Sequence, residues 1–191
     1  MKLTIRAVTP ELWPALEELF GRGGGSNSCW CMYWRVGPGY RERRKENKAA
    51  LREVVERGPP PGLLAFDGDV PVGWCGLAPR RALRWLDENP QLAQDDETPP
   101  WVLSCFYVRR SHREQGVMSA LVAAAVRAAK RAKAPALEAY PVDTTAPGST
   151  QNLFTGVAST LERAGFTTVG QGRYGRLIMR HDLKRLPSAA G

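Results

Sequence analysis

The chain has 191 residues, 43% of them hydrophobic and 24% charged, so it can bury a core and is excluded from the intrinsically disordered class. Lysine and arginine number 27 against 19 aspartates and glutamates, and the formal net charge of +8 favours an anionic ligand or partner. No apolar run approaches the roughly 20 residues of a membrane-spanning helix, so no membrane partner is expected.

The length and the ends of the chain predict its organisation and compartment. At about 150 residues per domain, one domain is expected over residues 1–186, followed by a flexible C-terminal tail over 187–191. The first six residues lack the apolar stretch of a secretory signal. Four cysteines at irregular spacing do not form a disulfide framework. We therefore expect a cytoplasmic protein with free thiols.

The predicted elements follow from the spacing of apolar residues and from the glycines and prolines between them. In chain order they are a strand over 3–7, a helix over 9–20 that ends at Gly21, a helix over 40–57, a hairpin of strands 63–66 and 70–77, a strand over 101–108, a helix over 117–133, a strand over 137–140, a helix over 153–164 that ends at Gly165, and two strands around residues 171–173. Residues 80–100, rich in acids and prolines, are expected to be an exposed excursion. The order β-α-α-β-β-β-α-β-α-β-β predicts an α/β fold with a mixed sheet flanked by helices.

One segment, residues 108–119, combines several features of an anion-binding site. A strand ends at Val108, a loop with three arginines and a histidine follows, and a helix begins directly after Gly116. The first turn of a helix offers unpaired N–H groups and a partial positive charge. A glycine there lets the backbone approach a ligand closely. The segment therefore predicts a pyrophosphate site, with a solvated strand-to-helix turn as the alternative.

The run Arg113–Met118 resembles the acyl-CoA signature of the GNAT superfamily of N-acyltransferases. It fits the pattern Arg/Gln-x-x-Gly-x-Gly/Ala except at Met118, where the family has a small residue. The order of elements is similar to the family's over nearly the whole chain, and residues 161–166 resemble its closing helix with a Gly-Phe ending. The resemblance implies a single-domain fold with a mostly antiparallel central sheet.

The resemblance also implies a coenzyme site for acetyl-CoA as co-substrate. The fourth and fifth strands would splay apart, and the pantetheine would lie along the fourth strand against the backbone of Phe106, Tyr107 and Val108. Backbone N–H groups would hold the pyrophosphate over the positions Arg113, Glu114, Gln115, Gly116, Val117, Met118 and Ser119.

Candidate catalytic residues lie on the fifth predicted strand. Family members often carry a general-acid tyrosine in the closing helix, but that position is Leu161 here, which cannot donate a proton. Glu138 and Tyr140 share one face of the strand and border the expected site of chemistry. A structural ion pair for Glu138 and a buried ring for Tyr140 are the alternatives. The general acid and base are therefore left open.

Large aromatic residues cluster after the glycine-rich loop, in a region that lines the acceptor pocket in the family. Trp30, Cys31, Tyr33 and Trp34 are predicted to bind the acceptor, and Tyr40 belongs to the same cluster. Such rings suit an apolar or cationic molecule, and core packing is the alternative. The pair Cys29-x-Cys31 has no partner pair at metal-ligand spacing, so no metal is expected.

Taken together, the sequence predicts an N-acetyltransferase that passes an acetyl group from acetyl-CoA to a primary amine by direct attack, without a metal. The amine-bearing acceptor, small molecule or protein, and the acyl chain preference stay open. The family often forms dimers, so a homodimer is one alternative. A coenzyme-binding sensor without catalysis is a second interpretation. A basic nucleic-acid-binding protein is a third, disfavoured because no reading motif is present.

Overall fold

The strands of the chain form one seven-stranded sheet in the order β1-β2-β3-β4-β5-β7-β6. The computed structural model describes residues 2–89, 92, 99–146, 152–172 and 175–183, and the predicted tail over 187–191 lies outside them. The strand bounds are β1 Leu3–Ala7, β2 Gly62–Asp67, β3 Val70–Pro79, β4 Trp101–Val108, β5 Ala136–Ala139, β6 Thr167–Gln171 and β7 Leu177–Asp182. All neighbours are antiparallel except β4 and β5, so the predicted mixed, mostly antiparallel sheet is confirmed.

Helices cover both faces of the sheet. Their bounds are α1 Trp13–Phe20, α2 Tyr33–Val36, α3 Asn47–Arg57, α4 Arg84–Asp87, α5 Val117–Arg131 and α6 Ala158–Glu162. The alanine-rich α5 lies on one face, and it comes so close to β3 that a Cβ added at Gly73 would meet Val117 Cγ1 at 2.6 Å. The apolar stripe of α1 lies on the other face, packed on Leu64 and Trp74 of the hairpin.

The second predicted helix is shorter than expected. A 3₁₀ turn occupies Gly37–Arg41, and α3 begins only at Asn47. The Asn47 side chain is buried, and its amide donates to the carbonyl of Ser28 at 2.9 Å and to that of Tyr40 at 2.8 Å. A polar anchor thus holds the aromatic segment where the sequence pattern predicted continuous helix.

Two other segments also differ from prediction. The closing helix is split into a 3₁₀ turn, Leu153–Thr155, and α6, because Gly156 between them has φ +93°. The prediction that residues 80–100 are exposed is wrong for Leu83, Leu86 and Leu92, which are buried. These leucines form a third core cluster with β-strand residues, which the acids and prolines around them conceal in the sequence.

Candidate active site

The parallel strands β4 and β5 separate after three residue pairs. Their register joins Trp101 to Leu137 and Leu103 to Ala139, and no later pair follows among the described residues. The chain beyond β5 instead bonds to residues 156–158, since Val142 N donates to the Gly156 carbonyl at 3.0 Å. The second half of β4 therefore has an edge without a neighbouring strand, as the resemblance implies for the pantetheine.

A cavity of about 1160 Å³ lies at this opening. Phe106 and Tyr107 of β4 line it, together with Tyr140, which directly follows β5, and Phe154 of the 3₁₀ turn Leu153–Thr155. Val108 is outside the lining and leads directly into the basic loop. The middle of β4 therefore borders the cavity, and its C-terminal end leads into the basic loop.

The α5 helix begins where the anion site was predicted. Gly116 has φ +81°, and a Cβ built there meets nothing within 4 Å. The first intrahelical bond runs from Ala120 N to Gly116 O at 3.0 Å. The N–H groups of Val117, Met118 and Ser119 precede that bond, so by helix geometry they have no intrahelical partner. The residues present fit a diphosphate at this helix start.

Side chains of the basic loop hold its shape. Arg113 Nε donates to the Val108 carbonyl at 3.2 Å, and Gln115 Nε2 donates to the Ser111 carbonyl at 2.9 Å. Arg109 pairs with Glu18 across the sheet at 2.9 Å. Glu114 has φ +61°, a left-handed conformation that a non-glycine residue rarely adopts. The loop is therefore fixed by its own bonds before any ligand arrives.

Met118, the one departure from the acyl-CoA signature, turns its side chain away from the helix axis toward the neighbouring loop. A Cβ added at Gly156 would meet Met118 Cε at 2.5 Å and the Phe106 ring at 3.1 Å. The absence of a side chain at Gly156 thus makes room for the methionine. Its backbone N–H stays at the helix start.

The two predicted catalytic residues are brought together, but in the interior. Glu138 is fully buried and lies outside the cavity lining, whereas the ring of Tyr140 belongs to it. Tyr140 Oη donates to Glu138 Oε2 at 2.9 Å, and Arg80 Nη1 donates to the same carboxylate at 3.0 Å and to Tyr140 Oη at 2.7 Å. The ion pair that was the structural alternative for Glu138 is therefore present. Burial, and then the charge of Glu138, raise the pKa of Tyr140.

Arg80 extends this network to the segment that was predicted to be exposed. Its Nη2 donates to the carbonyls of Leu86 and Leu92, and its Nε lies 3.4 Å from Asp87 Oδ1. Any residue type can offer a backbone carbonyl as an acceptor, so no residue pattern in the sequence pointed to Arg80. The buried guanidinium thus joins the carbonyls of Leu86 and Leu92 to Glu138 of β5 and to Tyr140 of the cavity lining.

Three of the four predicted acceptor residues line the cavity. Cys31, Tyr33 and Trp34 do so, and the Trp34 Nε1 donates to the Ser104 carbonyl at 2.7 Å. Trp30 does not, because it packs in the core 5.9 Å from the Trp13 ring. A role for Trp30 in acceptor binding is therefore not supported by its position.

The thiol of Cys31 is held in a neutral form. Its pKa is raised well above the ordinary value by a hydrogen bond with the thiol of Cys105 and by burial. Trp74 Nε1 donates to Cys31 Sγ at 3.0 Å. A neutral thiol that is already hydrogen-bonded is a poor nucleophile, and this disfavours a covalent acyl-cysteine at Cys31.

Further lining residues were missed in the sequence. They include Arg41, Trp85, Phe154 and Arg176. Each comes from a different segment, and only the fold brings them to one wall.

No described group of three His, Cys, Asp or Glu side chains is placed to hold a metal ion. Within the described ranges, every helix is too short or too polar to cross a bilayer.

The separated β4–β5 pair beside a glycine-led helix start is the arrangement expected of an acetyltransferase fold. The sequence matches the profile of the Acetyltransferase (GNAT) family over residues 16–151, and the chain belongs to this family. A search of curated protein sequences returned no significant match.

Solved structures of similar fold are acetyltransferases at low sequence identity. The PaiA N-acetyltransferase of Thermoplasma acidophilum in complex with coenzyme A is 16% identical, with a TM-score of 0.57 over 95% of this chain and 99% of that one. A protein described as histone acetyltransferase HPA2 and related acetyltransferase, from Corynebacterium glutamicum, is 19% identical, with a TM-score of 0.58 over 98% and 99%. The putative acetyltransferase YncA of Salmonella typhimurium with acetyl-CoA is 16% identical, with a TM-score of 0.52 over both full chains.

Proposed function

We propose that the chain is an acetyl-CoA-dependent N-acyltransferase that acylates a primary amine by direct attack. The observation that carries the proposal is the continuity of β4: its unpaired edge borders the cavity, and its end leads into the basic loop and the start of α5. One elongated ligand, anionic at one end and reactive at the other, matches that path.

The coenzyme would be held mainly by backbone groups. The N–H groups of Val117, Met118 and Ser119 would bind the diphosphate, and the edge of Phe106 and Tyr107 would bind the pantetheine amides. When bound, acetyl-CoA supplies a thioester carbonyl open to an amine. The complexes of PaiA with coenzyme A and of YncA with acetyl-CoA support this choice of co-substrate within the family.

Proton handling is proposed to involve Tyr140 and Glu138 indirectly. Because Glu138 lies outside the lining, any proton from the cavity would reach it only by way of the Tyr140 hydroxyl, which already donates to the carboxylate. The Arg80 guanidinium stabilises that carboxylate in its charged form. We therefore assign Glu138 and Arg80 as positioning residues that hold Tyr140 and the cavity wall.

Calorimetric titration with acetyl-CoA, followed by a thiol-release assay over a panel of primary amines, tests the proposal. Micromolar binding and amine-dependent thiol release are expected. Coenzyme binding without thiol release for any amine would identify a sensor instead. Absence of coenzyme binding, with salt-dependent binding of random oligonucleotides, would point to the nucleic-acid interpretation.

A further inference from the structure

Three aromatic rings in the cavity form a row with an arginine at each end. The ring centroid of Tyr33 lies 5.9 Å from that of Tyr40 and 5.8 Å from that of Phe154. The Arg41 guanidinium lies over the Tyr40 ring at 5.7 Å, and the Arg176 guanidinium lies over the Phe154 ring at 4.8 Å. All five side chains line the cavity.

The charged side chains that the structure describes in the cavity lining are all positive. Two arginines line the cavity, and no aspartate or glutamate among the described residues does so. The acids of the nearby α4 segment face arginines outside the lining: Asp87 lies 3.4 Å from Arg80, and Glu88 lies 2.8 Å from Arg84. A polyamine would therefore meet two like charges and no described counter-charge, which is unfavourable.

Neither guanidinium is neutralised within the described chain. Arg176 donates to the Thr155 hydroxyl and, at 3.0 Å, to the Asn152 carbonyl, which are both neutral acceptors. Arg41 donates to the Tyr40 hydroxyl at 3.4 Å. No ion pair joins either arginine to a described carboxylate. The half-buried Arg176, whose pKa burial lowers, would gain most from an anion placed beside it.

We propose that the acceptor is a primary amine that also carries a carboxylate next to an aromatic group, an aromatic α-amino acid being the simplest member. This rests on the proposed function. The rings of Tyr33 and Phe154 contact the side chain of the acceptor, and Arg176 binds its carboxylate. In the transfer, the neutral amine nitrogen forms an amide bond to the acyl carbon and the carbon–sulfur bond breaks. The nitrogen loses one proton and the departing sulfur gains one, so the products are the amide and the thiol of coenzyme A.

The positive lining also favours the reactive form of the amine. A cation near an ammonium group lowers its pKa, because the protonated form is repelled. Arg41, the lining arginine that is not paired with the acceptor carboxylate, would therefore favour the neutral form of the bound amine. This effect compensates in part for the lack of a described carboxylate in the lining.

A matched series of amines tests the inference by thiol release with acetyl-CoA. L-phenylalanine carries both groups, phenethylamine lacks the carboxylate, L-alanine lacks the ring, and spermidine is a polycation. The kcat/KM for L-phenylalanine should exceed that of each other amine at least tenfold. Equal or better turnover of phenethylamine or spermidine would overturn the inference and leave the proposed function intact.

Binding of the acetylated products to the cavity gives a second test, which does not require turnover. Trp34 and Trp85 line the cavity, so their fluorescence should report N-acetyl-L-phenylalanine at a Kd at least tenfold below that of N-acetylphenethylamine. If no amine is turned over but this preference is present, the inference about the cavity stands and the proposed function fails. No preference between the two products contradicts the inference.

Variants assign the preference to the arginines. Arg176→Gln should reduce the kcat/KM ratio of L-phenylalanine to phenethylamine below threefold, with acetyl-CoA affinity within twofold. Arg41→Gln, at an exposed position, gives a second variant that does not disturb the bonds to residues 152–155. Arg163→Gln is the matched control, because Arg163 is exposed, its side chain donates to the Thr160 hydroxyl at 3.1 Å, and neither residue belongs to the cavity lining. An unchanged ratio in Arg176→Gln rejects the assignment of the carboxylate to Arg176, whatever the result for Arg41→Gln.

Discussion

Replacement of Gly116 by glutamate places a carboxylate where the diphosphate is proposed to bind. In the structure a Cβ at this position meets nothing within 4 Å, so the side chain has room and the core is not disturbed. The change acts in two ways: the negative charge repels phosphate, and the side chain can accept the N–H groups of the first turn of α5. Both effects oppose the ligand directly.

The size of the effect follows from the N–H groups at stake. A hydrogen bond to a charged group contributes roughly 1.5–3 kcal/mol. Loss of two of the three bonds expected from Val117, Met118 and Ser119 therefore weakens acetyl-CoA binding at least about 100-fold, since every 1.4 kcal/mol or so is a factor of ten. The backbone strain of a non-glycine residue at φ +81° costs roughly 1–2 kcal/mol of stability, which is separate from affinity.

Calorimetric titration of the folded Gly116→Glu variant with acetyl-CoA measures the change. Gly58→Glu is the control for a carboxylate added at a positive φ, +60°, with open space around the Cβ position. Gly58→Glu should lose more stability, because Gly58 has ψ 177°, a conformation essentially restricted to glycine, whereas Gly116 has ψ 4° in the left-handed helical region. Only Gly116→Glu should lose affinity for acetyl-CoA. Wild-type affinity in Gly116→Glu would refute the placement of the diphosphate at the start of α5.

Two further predictions concern the interior. Glu138→Gln should lower the free energy of unfolding in urea by about 3 kcal/mol or more, because it removes the fully buried partner of Arg80 and leaves only the part-exposed Asp87, 3.4 Å away. The exposed Glu162→Gln should change it by less than about 0.5 kcal/mol. A large loss of rate with unchanged stability would instead make Glu138 a proton acceptor. Gly156→Ala should lower the melting temperature. Adding Met118→Ala should restore part of the loss, because Met118 Cε is the atom nearest to the new Cβ. If the melting temperature does not recover in the double variant, backbone strain alone is responsible for the loss.

The fold could be predicted largely from the sequence because its main elements carry clear periodicity. The alternation in β1, the Asp67–Asp69 turn of the hairpin and the alanine-rich α5 each agree with the structure. Prediction failed where local patterns are overridden by tertiary contacts. The helix expected from residue 40 gives way to turns because Asn47 bonds back to Tyr40 and Ser28, a long-range choice that no window of sequence displays.

A coenzyme site could be proposed from the sequence as one contiguous segment, whereas only part of the proposed acceptor wall, Cys31, Tyr33 and Trp34, could be. Residues 108–119 are contiguous, and their proposed role depends on backbone N–H groups whose placement a strand, a glycine and a helix already define. The proposed acceptor wall instead combines residues 33–41, 85–89, 92, 152–154 and 175–176, and a buried guanidinium at Arg80 joins one of these parts, through the carbonyl of Leu92, to the hydroxyl of Tyr140.

This division has a consequence for specificity. The segments of the proposed acceptor wall meet the start of α5 at Gly156, which makes room for the Met118 side chain. Away from Gly156, side chains of the wall could change without altering the N–H groups proposed to bind the coenzyme. Arg80 is the exception, because its bonds to the Leu86 and Leu92 carbonyls set the position of one part of the wall relative to Tyr140. Under the proposed function, acceptor choice would therefore depend on the rings and arginines of the cavity lining, while the geometry that presents them depends on the buried Arg80.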